Sequence, residues 1–341
     1  MTTGFSATAG RPGSASADRA GSVVVLGATG FLGGHLRSAF AAAGWRVLGV
    51  SSGGDGAGTV GLDLTRDAAG RLGALLAEAD ADVVVNAAGR VWQMTEAQMT
   101  EANSDLVATV TRTLLAWRYG CRLIQLGSIH EYAPGVSGRG TPERWPTAPV
   151  TPYGRSKLGG SQAVLRAHAD GLAGTVLRVA NVYGPGTRRG SLLGAVAAHL
   201  AEVARSERTG SATALRLPPL DARRDFVDVR DVADAVLATA TAPAARVAGQ
   251  VINVGSGVAR PVRGIVDRMI ALSGLPVEVV PSEPAGSAAG ARVDVEWQQL
   301  EIDRAERLLG WRPRRGLDES LRDQLTAAGV PPTARANREG N

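Results

Sequence analysis

The stretch Ser22-Val23-Val24-Val25-Leu26-Gly27-Ala28-Thr29-Gly30-Phe31-Leu32-Gly33 decides the fold of this chain. Its first five residues form a short, valine-rich apolar run, the mark of a buried strand. Three glycines follow at intervals of three, and an alanine-rich helix then runs to about Ala43. Gly27 permits the tight turn, Gly30 lets backbone approach a pyrophosphate, and Gly33 allows close packing of helix on strand. The free N–H groups of the helix start stabilise such an anion. A glycine triplet alone is a weak signal, but the strand–loop–helix context makes it a dinucleotide-phosphate loop. Thr29, Phe31 and Leu32 belong to the same cofactor-binding loop.

Further apolar runs follow at Arg46–Val50, Thr59–Leu62, Asp82–Val85, Arg122–Leu126 and Thr175–Val179. Helical segments at 68–79 and 95–119, and one opening at Pro152 behind the cap Thr151, alternate with them. Continuous apolar strands between helices predict an α/β fold, a doubly wound parallel sheet of the Rossmann type. This dinucleotide-binding domain covers 21–182. After Val182 the pattern loosens into a smaller C-terminal α/β substrate-binding region over 183–330. Helices are expected there at 190–205, 229–241, 262–273 and 317–328, with strands near 213–217, 225–228, 250–254 and 277–280. Segments from 225–255 are expected to complete the main sheet. Residues 1–20, rich in Gly, Ser and Ala, read as a disordered leader, and 331–341 as a disordered tail.

Composition narrows the partners. The net charge is +5, yet the arginines are scattered, which describes a solvated surface rather than a nucleic-acid site. A modest basic excess also suits an anionic, phosphorylated ligand. No run reaches the ~18 apolar residues of a membrane span. The first twenty residues lack the apolar core of a secretory signal. The single cysteine, Cys121, forbids an intrachain disulfide and fits a reducing compartment, so a cytoplasmic location is expected. Four scattered histidines give no metal-site spacing.

The chemistry resides in Thr151-Pro152-Tyr153-Gly154-Arg155-Ser156-Lys157. On a helix, Tyr153 and Lys157 share one face, a turn apart. A phenol has a pKa near 10, and a neighbouring ammonium is expected to lower it. Ser128 follows the fifth strand, so Ser128 and Tyr153 both fall at the carboxyl ends of the sheet, where open α/β folds bind ligands. Hydride delivery to a ketone builds negative charge on oxygen, and two O–H donors there stabilise it. The second strand ends in Val50-Ser51-Ser52-Gly53-Gly54. No acid stands at 51–54 to take a ribose 2′-hydroxyl or repel a 2′-phosphate, and Ser51 and Ser52 can hydrogen-bond one. That favours NADP(H) over NAD. Arg37 is either a clamp for that phosphate or a surface charge.

The G-x-x-G-x-x-G spacing resembles the short-chain dehydrogenase/reductase superfamily. Four further stretches narrow it to the extended subfamily, the NAD-dependent epimerase/dehydratase family. They are Arg178-Val179-Ala180-Asn181-Val182-Tyr183-Gly184-Pro185-Gly186, Arg224-Asp225-Phe226-Val227-Asp228-Val229-Arg230-Asp231, Val251-Ile252-Asn253-Val254-Gly255 and Leu308-Leu309-Gly310-Trp311-Arg312-Pro313. The resemblance covers about residues 22–328. It implies that Asp63-Leu64 contact the adenine and that Asn86-Ala87-Ala88-Gly89 line the cofactor. It implies that Ser128 binds the carbonyl oxygen, Tyr153 exchanges the proton, and Lys157 holds the nicotinamide ribose while depressing the tyrosine pKa. It also implies a nucleotide-diphosphate sugar as substrate, with Asn181, Arg224 and Asn253 on its phosphates. Arg224 has an alternative as a salt bridge to Asp225 or Asp228, and Asn253 as a strand-end turn residue. Homodimers through the helices near 95–119 and 152–169 are a further implication.

Gly127-Ser128-Ile129-His130-Glu131-Tyr132 bears on the reaction. Dehydratases of the resembled family carry an acid/base pair where Ile129 and His130 stand, so dehydration is disfavoured. His130 either titrates near neutrality or shapes the substrate pocket. Reduction of the 4-keto group of an NDP-4-keto-6-deoxyhexose is the expected activity, and the chain looks most like NDP-hexose 4-ketoreductases. An NAD-dependent NDP-sugar 4-epimerase and a non-catalytic NADP(H)-sensing protein are the alternatives. Arg188 and Arg189 face either phosphate or solvent.

Overall fold

A computed structural model describes residues 21–54, 58–66, 68–90, 94–117, 120–206, 213–282 and 295–331. The leader, and the tail beyond residue 331, lie outside the described residues. The first half contains β1 (Ser22–Leu26), α1 (Phe31–Ala42), β2 (Arg46–Ser51), β3 (Thr59–Gly61), α2 (Ala68–Glu78) and β4 (Val83–Asn86). Then come α3 (Glu96–Thr100), a π-helical turn (Glu101–Asp105), α4 (Leu106–Trp117), β5 (Arg122–Ser128), α5 (Pro152–Ala169) and β6 (Ala173–Val179). The remainder runs β7 (Asn181–Tyr183), α6 (Leu192–Arg205), β8 (Thr213–Leu217), β9 (Arg223–Asp228), α7 (Val229–Thr241), α8 (Ala244–Val247) and β10 (Val251–Val254). It ends with β11 (Ala259–Pro261), α9 (Val262–Ser273), β12 (Val277–Pro281), α10 (Asp303–Leu309) and α11 (Leu317–Ala327).

Seven strands form one parallel sheet in the order β10-β6-β5-β4-β1-β2-β3. The alternation of side chains along a strand divides β1 between two cores. Val23 and Val25 pack in one apolar cluster with Leu36 and Phe40 of α1 and Val232 and Val236 of α7. Val24 and Leu26 pack in the other with Leu72 and Leu76 of α2, Val107 and Val110 of α4 and Val164 of α5. Both faces of the sheet are therefore covered, which is why β1 reads as an unbroken apolar run. A third cluster joins α6, α9 and α11 through Leu193, Leu200, Ile265, Met269, Leu321 and Leu325.

Of the segments expected to extend the sheet, Val251–Val254 does so beside β6. The strand at 223–228 pairs instead with β7 and β11 in a separate three-stranded sheet. From Arg224 to Val227 its residues alternate in burial, as suits a strand with one wetter face. The helix expected across 95–119 is also interrupted by the π-helical turn. There Asn103 turns inward, accepting a hydrogen bond from Arg90 N at 3.0 Å and donating to Arg90 O at 2.9 Å and Ser156 Oγ at 3.0 Å. Such bulges recur at functional sites.

Asp225 ties β9 to its surroundings. Its carboxylate has no solvent exposure and accepts from Ser256 N and Ser256 Oγ at 2.7 Å, Leu300 N at 3.1 Å and Gly257 N at 3.2 Å. Asp225→Ala strands these donors, and the loss is expected to be about 3 kcal/mol. Urea denaturation should show a lower midpoint with an unchanged slope. A wild-type midpoint would show that the bonds are replaceable.

Candidate active site

The loop between β1 and α1 is shaped by main chain alone. Gly27 has φ +77°, and a Cβ at Gly33 would lie 2.1 Å from the Gly27 carbonyl oxygen. Gly30 caps α1 without a side-chain bond, and the first turn carries no acidic residue. Thr29, Phe31, His35, Gly186 and Arg188 line an open hollow at this end. Arg188 Nη2 reaches 3.5 Å from Thr29 O, whereas Arg189 pairs with Glu202.

Ser51 is buried at the end of β2, where its Oγ accepts from Gly54 N at 3.1 Å, and Ser52 is exposed. Arg37 stands beside the same connection, 3.7 Å from where a Cβ at Gly58 would be. Asp63 accepts from Thr65 N and Thr65 Oγ1, which hold its carboxyl below its ordinary range. Leu64 is buried in the core. Asn86 is wholly buried, donating to Gln125 Oε1 at 2.8 Å and accepting from Ala88 N at 3.1 Å. It thereby sets the Ala87-Ala88-Gly89 turn.

A cavity of about 160 Å³ opens between that turn and the catalytic candidates, lined by Gly89, Asn103, Ser128, Tyr153, Lys157 and Val182 among others. Ser128 arrives on the end of β5, and Tyr153 and Lys157 arrive on α5. Thr151 caps α5 through Gly154 N, with Pro152 in the first turn. A Cβ at Gly154 would lie 2.2 Å from His130 O, so only glycine lets α5 approach the turn after β5.

Tyr153 and Ser128 line the same cavity, near enough for the hydroxyl to favour the phenolate. The Tyr153 pKa is pushed up to about 12, chiefly by burial, with the Ser128 hydroxyl opposing and the Glu131 charge adding. The expected depression by Lys157 is not what this structure holds. The Lys157 ammonium donates to Leu126 O at 2.6 Å, and burial of the phenol dominates. Lys157 itself lies below its ordinary range through burial, with Glu131 opposing. The phenol is thus kept protonated beside a hydroxyl, an arrangement that can donate two hydrogen bonds to one oxygen.

A second hollow adjoins, lined by His130, Tyr132, Thr151, Trp297 and Gln298 among others. The His130 ring meets Tyr153 edge-on, with centroids 5.8 Å apart. Burial, then the nearby Arg224 charge, push His130 down to about 4, and a hydrogen bond with Asn181 opposes them. His130 is therefore neutral near pH 7 and forms pocket wall. Asn181 donates to Asp225 O at 2.9 Å and Gln298 Oε1 at 3.1 Å. Gln298 Nε2 in turn stands 3.4 Å from His130 Nδ1.

Arg224 donates to the Val295 carbonyl, while Asp228 is held by Arg230. Asn253 is a predicted residue whose amide the structure commits to the scaffold. It is wholly buried, with Nδ2 on Thr141 O and Glu301 O and Oδ1 accepting from Tyr132 Oη at 2.8 Å. Its amide is a scaffold element. Asn103, Glu131, Trp297 and Gln298 were not singled out from the sequence. Only Glu131 carried a readable signal, the Ser-x-x-Glu capping box of residues 128–131.

Residues 23–255 match the NAD dependent epimerase/dehydratase family. The chain belongs to that family. It is 40% identical over 317 residues to a dTDP-6-deoxy-L-talose 4-dehydrogenase (NAD(P)(+)) of Kitasatospora kifunensis, covering 92% of this chain and 97% of the relative. It is 28% identical to a UDP-glucose 4-epimerase of Mycolicibacterium smegmatis, covering 87% and 95%. The solved structure of RMD from Pseudomonas aeruginosa complexed with NADPH superposes with a TM-score of 0.75 at 23% identity, covering 91% of this chain and all of that one, and shows the shared fold. This family member is an enzyme dependent on a nicotinamide dinucleotide. Its residues fit that cofactor, because the Gly27–Gly33 cradle would be filled by any Cβ at residue 33 and the 160 Å³ cavity ends on Ser128 and Tyr153. Among the described residues no helix is long and apolar enough to cross a membrane.

The His130 environment has a stability consequence. Between its ordinary value of 6.5 and about 4, the unfolded chain takes up a proton that the fold refuses. Stability should therefore fall as pH drops through that window, by up to about 3 kcal/mol. In denaturation midpoints compared at pH 7 and pH 4.5, His130→Gln is expected to flatten the dependence. An identical slope in the variant would refute this assignment.

Proposed function

We propose that the protein reduces the 4-keto group of an NDP-4-keto-6-deoxyhexose, using NADPH. The observation that carries this reading is the protonated Tyr153 phenol against Ser128, beside a neutral His130 and an apolar Ile129. These groups can donate a proton to an oxygen, and they lack the acid/base pair that elimination requires. The full-length likeness to a dTDP-6-deoxy-L-talose 4-dehydrogenase supports chemistry at C4 of such a sugar.

The Gly27–Gly33 loop would hold the pyrophosphate of the dinucleotide, whose reduced nicotinamide would supply the hydride. Ser128 Oγ–H and Tyr153 Oη–H donate to the keto oxygen, drawing charge onto it as the C4–H bond forms. Tyr153 then transfers its proton to that oxygen, and solvent restores the proton to the phenolate. Lys157, held by Leu126 O of β5, lines the same cavity as Tyr153. Neutral His130, Asn181, Gln298 and Trp297 orient the ring, and Arg224 supplies positive charge toward the diphosphate.

The discriminating experiment mixes the protein with NADPH and a panel of dTDP-4-keto-6-deoxyhexoses. One NADPH oxidised per sugar consumed is the expected result. Sugar interconversion without net oxidation would establish the epimerase reading, and binding without turnover a sensor. Tyr153→Phe is expected to lower kcat by about 10²–10⁴ with KM little changed. Turnover within tenfold of wild type would remove Tyr153 as the donor.

NADP(H) is the proposed cofactor because no carboxylate stands at 51–54 and Arg37 lies beside the same connection. Ser52→Asp places a negative charge there. It should move the NADPH-to-NADH ratio of kcat/KM roughly tenfold or more toward NADH, the scale of one like-charge contact near a surface. An unmoved ratio would locate cofactor choice elsewhere.

A further inference from the structure

Glu131 is unusual among the groups around the cavity, because it bears a carboxylate with no solvent exposure, its oxygens turned to protein groups. Oε1 accepts from Ser128 N at 2.8 Å and from Ser161 Oγ at 2.9 Å. Oε2 accepts from Arg178 Nε at 2.7 Å. Arg178 is itself buried, with its guanidinium 4.4 Å from the centre of the Tyr132 ring. One carboxylate thus joins the end of β5, the helix α5 and the strand β6. Ser161 lies one turn beyond Lys157, on the same face of α5. Lys157 in turn bonds Leu126 O, two residues before Ser128.

Fold stability alone gives little reason for a charge here. Replacing a buried ion pair with packed apolar side chains is often neutral or stabilising. The groups facing Glu131 suggest another reason. From α5 they are Tyr153, Lys157 and Ser161; from β6, Arg178; from its own turn, Tyr132 and the Ser128 main chain. His130, next in sequence, is neutral. Arg178 is the closely paired cation, while Lys157 feels the carboxylate without a direct bond to it.

We propose that Glu131 is a positioning residue of the reaction: its carboxylate, bonded to Ser128 N, Ser161 Oγ and Arg178 Nε, fixes Ser128 against α5 and sets the negative charge beside which Tyr153 and Lys157 work. The inference rests on the reductase reading, in which Tyr153 must begin protonated. The negative charge acts in one sense on both groups. It disfavours a second negative charge on the phenol and favours the ammonium. Neutralising it should therefore move both titrations to lower pH.

The test compares wild type with Glu131→Gln and with Glu131→Gln/Arg178→Gln. The double variant avoids leaving the Arg178 cation unpaired in the interior. Two readouts are followed in protein that melts cooperatively: the alkaline limb of the kcat–pH profile for keto-sugar reduction, and the phenolate absorbance of the protein without substrate. Matched variants that also carry Tyr153→Phe isolate the Tyr153 signal. The limb is expected to fall by about one pH unit with KM within about threefold. One phenolate equivalent should appear at correspondingly lower pH, and be missing when Tyr153→Phe is present. Folded variants that keep the wild-type limb and phenolate titration would overturn the proposal. A loss of rate equal at every pH, or failure of both variants to fold, would also overturn it, because either makes Glu131 a structural residue only. If wild type reduces no keto sugar, the reductase reading fails, and the phenolate titration still decides whether Glu131 governs Tyr153.

Discussion

A parallel sheet buried on both faces confines the chemistry of this protein to one edge. Alternate side chains of β1 belong to opposite cores, so no interior strand residue is available to a ligand. Polar function is left to the carboxyl ends. There α1 leaves β1 on one face, while α4 and α5, which follow β4 and β5, pack on the other. The chain parts between β1 and β4, and the crevice lies at that divergence. Gly27–Gly33 forms one wall, Asn86–Gly89 the floor, and Ser128 with Tyr153 the far side.

What was legible in the sequence was what local rules specify. The run at 22–26 had to be a doubly buried strand, and the glycines after it had to turn. Tyr153 and Lys157 share a face because Thr151 and Pro152 start a helix just before them. The bonds that finish the site were not legible, because they join residues far apart in the chain. Asn181 meets Gln298 across 117 positions, and Tyr132 meets Asn253 across 121. The family resemblance made Asn253 a phosphate ligand, with a strand-end turn residue as the alternative. Only the fold shows Thr141, Glu301 and Tyr132 taking up its amide. The π-helical turn has the same origin, since the polar groups that draw Asn103 inward belong to Arg90 and Ser156.

Polar knots also explain how the region after residue 182 holds its shape against the sheet. Asp225 anchors the loop after β10 and the segment ahead of α10. Asp231 accepts from Arg314 N and Arg315 N, and its carbonyl accepts from Trp311 Nε1, which brings the chain beyond α10 back onto α7. Arg223 exchanges main-chain bonds with Glu296 and Gln298. The wall carrying Trp297 and Gln298 is therefore an extension of β9. A change in that strand would be felt in the hollow beside His130 through the main chain.

Burial and charge contend at Tyr153, and the outcome sets the form in which the phenol rests. An ammonium four residues away suggested a lowered phenol pKa. Burial of the phenol dominates instead, and the nearby carboxylate adds to the rise. A phenol at about 12 remains a much stronger acid than water or an alcohol, so proton transfer to an alkoxide-like oxygen stays downhill. The reverse step needs the phenolate, and at pH 7 its fraction would be about 10⁻⁵. The protonated phenol is the form that can give a proton, and burial with the neighbouring carboxylate is what keeps it in that form.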